Sequence, residues 1–232
     1  MAEGVKVVRE ILRSGRPASA FLVLEGKEGR WRTLLGSIPP SVPVYFLTAK
    51  EWKGLSQDKE PEGIMGVAAA ETTSDWTAWA DAAEGHLLLA YQIRNPNNLG
   101  TLMRTAHWFG IRNVALSEGS VDPYHPKAVR SSMGSLFHLN LLDRVDFEKL
   151  LPHLARERVV IETDIARGNP PHPVNRPAVL MLGNETHGLP RPLPFPVHEC
   201  WCIPGAGGAD SLSLPQAAAV MIYELTKEAW KP

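Results

Sequence analysis

Cysteine is nearly absent from this 232-residue sequence, which contains only Cys200 and Cys202. Small secreted proteins are usually crosslinked by several cysteine pairs, so two lone cysteines are better interpreted as buried thiols in a reducing compartment. The chain has no second cysteine pair that could complete a tetrahedral zinc site. We therefore expect no metal site in this protein.

The sequence also lacks a long hydrophobic run. No segment reaches the roughly 18 apolar residues that a membrane span needs. Charged residues interrupt the apolar positions of residues 1–16, which is not typical of a signal peptide. We expect a cytoplasmic protein without membrane contact. With 44% hydrophobic and 21% charged residues, the chain can bury a full core, in one domain or in two small ones.

An excess of positive charge is missing as well. The formal net charge is -1 at pH 7, so the overall charge gives no support to nucleic-acid binding, which usually shows as a basic surface. The charges are nevertheless unevenly distributed, because residues 6–32 are rich in lysine and arginine and residues 58–84 in aspartate and glutamate. This asymmetry is consistent with a one-sided RNA-binding surface or with a solvated face of mixed charge.

Strand patterns alternate with helical patterns along the chain. Residues 87–90 form a short apolar run typical of a strand buried on both faces, and the apolar residues from Leu99 to Ala106 recur with helical spacing. Further strand patterns lie at 21–24, 44–47, 64–68, 114–116, 136–142, 159–161, 179–182 and 200–203. This alternation predicts an α/β fold with a parallel sheet covered on both faces.

The turn between strand 87–90 and the following helix is unusually polar. It contains the run Asn95–Asn98, and we predict that Asn98 caps the helix because asparagine amides bond to free backbone groups at helix starts. Open α/β sheets bind ligands in such a crevice between strand end and helix start. Arg104 in this helix allows two interpretations: its guanidinium lies against the crevice, or its stem covers the apolar face and its charge is solvated.

Three segments of the chain together resemble a known family. Residues 95–100 followed by 104–106 resemble the first motif of the SpoU (TrmH-like) RNA 2′-O-ribose methyltransferases. Residues 180–189 resemble the second motif of this family, and residues 203–217 resemble the third, in the same order. The similarity extends from about residue 84 to the C-terminus.

Three residues depart from the family pattern. Asn95 stands where the family usually has aspartate, Ser213 where its third motif has asparagine, and Pro215 where it has serine. The exchange at Ser213 replaces an amide by a shorter hydroxyl with fewer hydrogen-bonding positions. The departures bear on activity more than on fold.

The resemblance implies a SPOUT-type α/β methyltransferase domain over residues 85–232. In this family the C-terminal chain threads a loop to form a deep trefoil knot, and the loops of the second and third motifs lie side by side. The family also packs its cofactor-side helices against a second subunit. Trp108 and Phe109 follow the apolar stripe of the first-motif helix and suit such an interface, so we expect a homodimer.

The part of the chain before residue 85 resembles the family less closely. Residues 21–26 and 63–67 are similar to the L30e-like domain that often precedes the methyltransferase domain, which assigns residues 1–72 to a small RNA-binding α/β domain. Residues 73–84 are predicted to be a linker. Trp76 and Trp79 lie three residues apart, so a short helix that packs on one of the domains is the alternative.

The resemblance implies transfer of a methyl group from S-adenosylmethionine to a ribose 2′-OH, and an L30e-like domain favours ribosomal over transfer RNA. The residues expected to hold the cofactor through backbone contacts and apolar walls are Leu182, Gly183, Asn184, Gly188, Ile203, Pro204 and Leu212. The residues expected to line the reaction pocket are Arg104, Asn98, Glu185, Ser211 and Ser213.

Arg104 is the expected catalytic centre. A fixed guanidinium beside the hydroxyl would stabilise developing alkoxide and could hold the adjacent phosphate. Glu185 is either part of the reaction pocket, a structural carboxylate that caps a turn, or the ion-pair partner of Arg104. The alternative function is an RNA-binding or ribosome-associated protein of the same fold whose methyltransferase activity is weakened or lost.

Overall fold

The computed structural model describes residues 1–56, 58–70, 73 and 75–229. The chain divides into two compact units, residues 1–70 with 133–138 and residues 71–132 with 139–232. In the part of the chain that is described, no helix is both long enough and apolar enough to cross a membrane.

The first unit contains a four-stranded sheet of order β1-β4-β2-β3, in which β2 and β3 are parallel and the other pairs are antiparallel. Its elements are β1 (Ala2–Glu3), α1 (Val5–Ser14), β2 (Ala18–Leu24), α2 (Glu28–Leu35), β3 (Val44–Leu47), α3 (Ala49–Leu55) and β4 (Ile64–Ala68). Helix α1 packs on β4 at Gly66, where an added Cβ would lie 2.6 Å from Cδ1 of Ile11. The missing side chain of Gly66 therefore allows the close contact.

The second unit contains a six-stranded parallel sheet of order β10-β8-β9-β5-β6-β7. Its strands are β5 (Leu87–Ala90), β6 (Asn113–Ser117), β7 (Asn140–Val145), β8 (Val159–Thr163), β9 (Ala178–Leu182) and β10 (Glu199–Trp201). Its helices are α4 (Trp76–Ala82), α5 (Pro96–Trp108), α6 (Pro126–Ser132), α7 (Phe147–Leu154) and α8 (Leu214–Thr226). Every residue of β5, β6 and β9 is buried. The predicted α/β fold with a buried parallel sheet is confirmed.

The predicted strand over residues 136–142 is wrong in its first half. Residues Ser135–His138 form a short 3₁₀ helix that belongs to the first unit, and β7 begins only at Asn140. The segment contacts α1 and the residues just after it. Arg16 Nε donates to the Phe137 carbonyl at 2.7 Å, and His138 Nε2 lies 2.9 Å from Glu10 Oε2. A short apolar run does not by itself distinguish strand from helix.

The expected linker also needs correction. Residues 76–82 form α4, whose start is capped by Asp75 accepting from Thr77 N at 3.1 Å and Ala78 N at 2.9 Å. Trp79 is 9% exposed and belongs to the hydrophobic core of the second unit together with Leu150. Residues 76–82 therefore form the short helix, packed on a domain, that was predicted as the alternative to a linker.

Replacing Trp79 with alanine is expected to lower the free energy of unfolding by about 3–5 kcal/mol, because it leaves a large cavity in the core. Thr77→Ala, an exposed change in the same helix, is the matched control and should change it by less than about 0.5 kcal/mol. Urea unfolding followed by circular dichroism measures both. Equal stabilities of the two variants would restore the linker interpretation.

Candidate functional site

The carboxyl ends of β5 and β9 lie side by side, because these two strands are paired in parallel. Tyr91 N, one residue beyond β5, donates to the carbonyl of Leu182 at the end of β9 at 2.8 Å. From this point β5 leads into α5, while β9 leads into a tight turn that begins at Gly183. Ligands bind at such positions in open α/β sheets.

Helix α5 is capped by Asn95 and not by Asn98 as predicted. The Asn95 carboxamide oxygen accepts from Asn97 N at 2.9 Å and Asn98 N at 3.4 Å. Pro96 is the first helical residue, where its missing N–H has no helical partner to lose. Because Pro96 fixes the helix start, the cap falls on the asparagine before it, and Asn98 lies in the first turn with its side chain free for another partner.

That partner is Glu185, which lies in the tight turn after β9. Its carboxylate accepts from Asn98 Nδ2 at 3.1 Å, from Asn95 N at 3.4 Å and from Arg94 N at 3.5 Å. A carboxylate is favourable there, because free N–H groups and the helix dipole make a helix start electropositive. The geometry therefore brings Asn98 and Glu185 together, which favours the structural carboxylate among the roles left open for Glu185.

Asn184 organises the turn itself. Its side-chain oxygen accepts from Thr186 N at 2.9 Å and His187 N at 3.1 Å, and its Nδ2 donates to the carbonyl of Gln92 at 2.8 Å. Gln92 has a φ of 49°, a left-handed conformation that costs energy for a residue with a side chain. Its N–H donates to Ser117 Oγ at 2.8 Å. Sequence reasoning missed Gln92, since glutamine gives no signal for this backbone.

Gly183 and Gly188 close the turn that contains Asn184 and Glu185. Asn184 and Gly188 form two backbone hydrogen bonds with each other, at 3.0 and 2.9 Å. A Cβ on Gly183 would lie 2.3 Å from the carbonyl carbon of Gly188, and Gly188 has a φ of 67°. Both positions therefore need glycine, the first for space and the second for its backbone conformation. Leu182, just before the turn, is buried.

The loop between β10 and α8 carries the remaining predicted residues. Ile203 is half-buried, while Pro204, Ser211 and Leu212 are exposed. Ser213 is the N-cap of α8, and its hydroxyl donates to Gln216 Oε1 at 3.0 Å. Serine is as effective a cap as asparagine, so the hydroxyl at this position is compatible with a stable α8.

Arg104 lies on the exposed face of α5. Among the residues that the structure describes, its guanidinium has no hydrogen-bond or ion-pair partner, Glu185 included. Trp108, one turn further along the helix, is 82% exposed. The ion pair between Arg104 and Glu185 that the sequence left open is therefore absent, and the charge of Arg104 is solvated in the isolated chain.

The two cysteines are half-buried rather than buried as predicted. Burial, with Glu162 nearby, raises the pKa of Cys200 to about 11, so this thiol stays protonated at neutral pH. Cys202 lies just after the end of β10. Within the described ranges, no group of three or more His, Cys, Asp or Glu side chains is placed to hold a metal ion.

The sequence profile of the SpoU rRNA Methylase family matches residues 85–223. The chain belongs to this family. It is also 27% identical, over 97% of its own length and 87% of the relative's, to the 23S rRNA (guanosine(2553)-2'-O)-methyltransferase RlmP of Bacillus subtilis (strain 168). The range of residues 85–223 that the family profile matches includes α5, the Gly183–Gly188 turn and most of α8.

Solved structures of the family superimpose on most of this SpoU chain. The SpoU methyltransferase AviRb from Streptomyces viridochromogenes, in complex with the cofactor AdoMet, has a TM-score of 0.82 at 25% identity, covering 98% of this chain and 88% of AviRb. A putative RNA methyltransferase of the TrmH family from Porphyromonas gingivalis has a TM-score of 0.79 at 27% identity, covering 98% and 89%.

Proposed function

We propose that this protein transfers the methyl group of S-adenosylmethionine to a ribose 2′-OH of ribosomal RNA. The observation that carries the proposal is a direct contact between the first two family motifs. Glu185 of the second motif accepts hydrogen bonds from Asn95 N and Asn98 Nδ2 at the start of α5. Family membership and relatives named as rRNA 2′-O-methyltransferases support the same reaction.

The residues at the ends of β9 and β10 suit S-adenosylmethionine. Leu182, Gly183, Asn184 and Gly188 would hold it on one side, since a glycine turn gives a ligand close access to the backbone. On the other side lie Ile203, Pro204 and Leu212, and Leu212 offers an apolar side chain that is 49% exposed. When bound, the cofactor supplies an activated methyl carbon, so the protein has mainly to position the ribose.

Arg104 is the group that we assign to the 2′-OH. A guanidinium stays protonated, so it acts by stabilising the negative charge that develops on the attacking oxygen and by holding the adjacent phosphate. Its lack of a partner among the described residues leaves its donors available to RNA. Asn98, Ser211 and Ser213 shape the pocket, and Glu185 keeps Asn98 oriented through the 3.1 Å hydrogen bond.

The protein is proposed to act as a homodimer. The exposed apolar side chains of α5 and α8 are Trp108 (82% exposed), Tyr223 (45%) and Val220 (40%). The Tyr223 ring lies 6.2 Å from that of Phe109, which joins the two helices in one surface. Exposed aromatic residues of this kind are enriched in subunit interfaces.

Trp108→Glu is expected to convert the dimer to a monomer, because it buries a charge in the proposed interface. Light scattering at micromolar protein should give twice the 25.5 kDa chain mass for the natural sequence and the single mass for the variant. Ile165→Glu, which changes another apolar residue that is 78% exposed, should remain dimeric. A natural protein of single-chain mass at every concentration would contradict the proposal.

The finer architecture is also proposed from the family resemblance. The separate compact unit of residues 1–70 with 133–138 supports an L30e-like RNA-binding domain. Asn169 pairs with the chain on either side of Trp201, so the loop after β8 lies beside the strand that leads into the third motif. We take this contact as support for the trefoil knot that the resemblance implies. The cytoplasmic location stays a prediction.

Methylation of RNA with labelled S-adenosylmethionine tests the function. We expect label in ribosomal RNA and not in transfer RNA, and mapping by primer extension should place it on one ribose. RNA binding without any incorporation would favour the alternative of a ribosome-associated protein without transferase activity. Labelling of transfer RNA alone would reject the substrate class.

A further inference from the structure

Arg191 reaches from the loop after the Gly183–Gly188 turn to the end of β8. Its Nη2 lies 2.8 Å from Asp164 Oδ2, and its Nη1 contacts Glu162 Oε2. The side chains of these two carboxylates are only 18% and 10% exposed. Among the acidic and basic residues (Asp, Glu, Lys, Arg and His) that the structure describes, only Glu162 is buried.

The arrangement suits arginine better than lysine. A planar guanidinium can donate to two carboxylates at once, whereas an ammonium group is a single point charge. Arg167 adds a contact of 3.1 Å to Asp164 and one of 3.8 Å to Glu162 from the more exposed side. Moving Arg191 away would leave the buried charge of Glu162 without this partner, which costs free energy. The ion pairs therefore hold the loop of Arg191 at the end of β8.

The end of β8 is in turn paired with the chain that leads into the third motif. Asp164 N donates to the carbonyl of Trp201 at 3.0 Å, and Cys202 N donates to the carbonyl of Asn169 at 2.9 Å. Ile203 follows directly. On the other side, Arg191 is three residues beyond Gly188, with the buried Leu189 between them. One ion network therefore connects the two segments assigned to the cofactor.

We propose that Arg191 is a positioning residue, which through Glu162 and Asp164 holds the Gly183–Gly188 turn and the Ile203–Pro204 segment at the spacing that S-adenosylmethionine binding requires. This inference rests on the proposed function. Arg191 acts through the two loops and does not touch the reacting atoms. Its loss changes the separation and mobility of the loops, and small misplacements of binding groups have large effects on affinity.

Calorimetric titration of the full chain with S-adenosylmethionine tests the inference. Arg191→Ala should raise the Kd about 10- to 100-fold, and Arg191→Lys should give an intermediate value because lysine can hold one carboxylate at a time. Arg176→Ala, an exposed arginine with no partner among the described residues, is the matched control and should bind like the natural protein. RNA affinity should be unchanged in all three variants.

Hydrogen–deuterium exchange without cofactor provides a second readout. In Arg191→Ala, peptides that contain the backbone amides of residues 184–188 and 202–203 should exchange faster than in the natural protein, and those of the first unit should not. If Arg191→Ala does not fold, Arg191→Lys carries both measurements.

A lower unfolding temperature with unchanged Kd and unchanged exchange would overturn the inference, because it would leave Arg191 only a stabilising role. Failure of the natural protein to bind S-adenosylmethionine would instead reject the proposed function. In that case the exchange experiment alone decides whether Arg191 orders the two segments.

Discussion

Arg104→Ala is expected to lower the rate of single-turnover methylation by about 10²- to 10³-fold, the scale found when one preorganised donor to a transition state is removed. The affinity for S-adenosylmethionine should change little, because the charge that Arg104 stabilises develops only as the ribose oxygen attacks. Quench-flow methylation of ribosomal RNA at saturating cofactor measures the rate, and calorimetry measures the affinity.

Two further variants separate the role of the guanidinium from that of charge alone. Arg104→Lys should restore little activity, since it keeps the charge but loses the planar fork that could hold hydroxyl and phosphate together. Arg112→Ala is the control, because Arg112 is also exposed but lies just before β6, at the amino ends of the parallel strands, whereas the site lies at their carboxyl ends. Normal rates in both Arg104 variants would show that this side chain is only a solvated arginine.

Local patterns predicted much of the fold correctly. The strands Val44–Leu47, Ile64–Ala68 and Leu87–Ala90 have the predicted bounds. In Ile64–Ala68 and Leu87–Ala90 the apolar run agrees with the final burial. In Val44–Leu47 the bounds are correct although Tyr45 and Phe46 are about half exposed. Helix α2 was not predicted, because Trp31 is its one buried residue and its other positions carry no apolar stripe.

The errors occur where distant residues decide the structure. Residues 135–138 take a 3₁₀ conformation in contact with α1, more than 100 positions earlier in the chain, and no local pattern reports that contact. Trp79 and Ala80 belong to a core that includes residues of α7 and the central strands, although the segment around them is rich in acidic residues, threonine and serine. The composition of this segment therefore indicated a linker, whereas its buried residues Trp79 and Ala80 pack the helix on the second unit.

In the candidate site, too, local motifs indicated single residues, and contacts between distant residues could not be predicted. Motif resemblance indicated Asn98 and Glu185 separately, and the fold supplied their 3.1 Å hydrogen bond. Gln92 and Arg191 were not predicted, because the first is defined by backbone conformation and the second by carboxylates about 30 positions away. Ser213 was predicted to line the reaction pocket, and its hydroxyl also donates to Gln216 at the start of α8, a contact that a single motif position does not reveal.

Gly183→Ala is expected to weaken S-adenosylmethionine binding by about 100-fold or more, because the new methyl group meets the backbone of Gly188 and Leu189 on the opposite side of the turn. The Cβ would lie 2.3 Å from the carbonyl carbon of Gly188 and 2.5 Å from Leu189 N. No side-chain rotation can relieve these contacts, so the turn must shift and strain the hydrogen bonds between Asn184 and Gly188. Overpacking of this kind should also lower the free energy of unfolding by about 1–3 kcal/mol.

The control for Gly183→Ala is Gly54→Ala, in helix α3, where an added Cβ has no atom within 4 Å. This change should leave cofactor affinity unaltered and raise stability by about 0.5–1 kcal/mol, since alanine restricts the unfolded chain and favours the helix. Calorimetry and urea unfolding on both variants give the comparison. If Gly183→Ala binds S-adenosylmethionine within a few-fold of the natural protein, the turn after β9 does not hold the cofactor, because its backbone cannot accept the methyl group without moving.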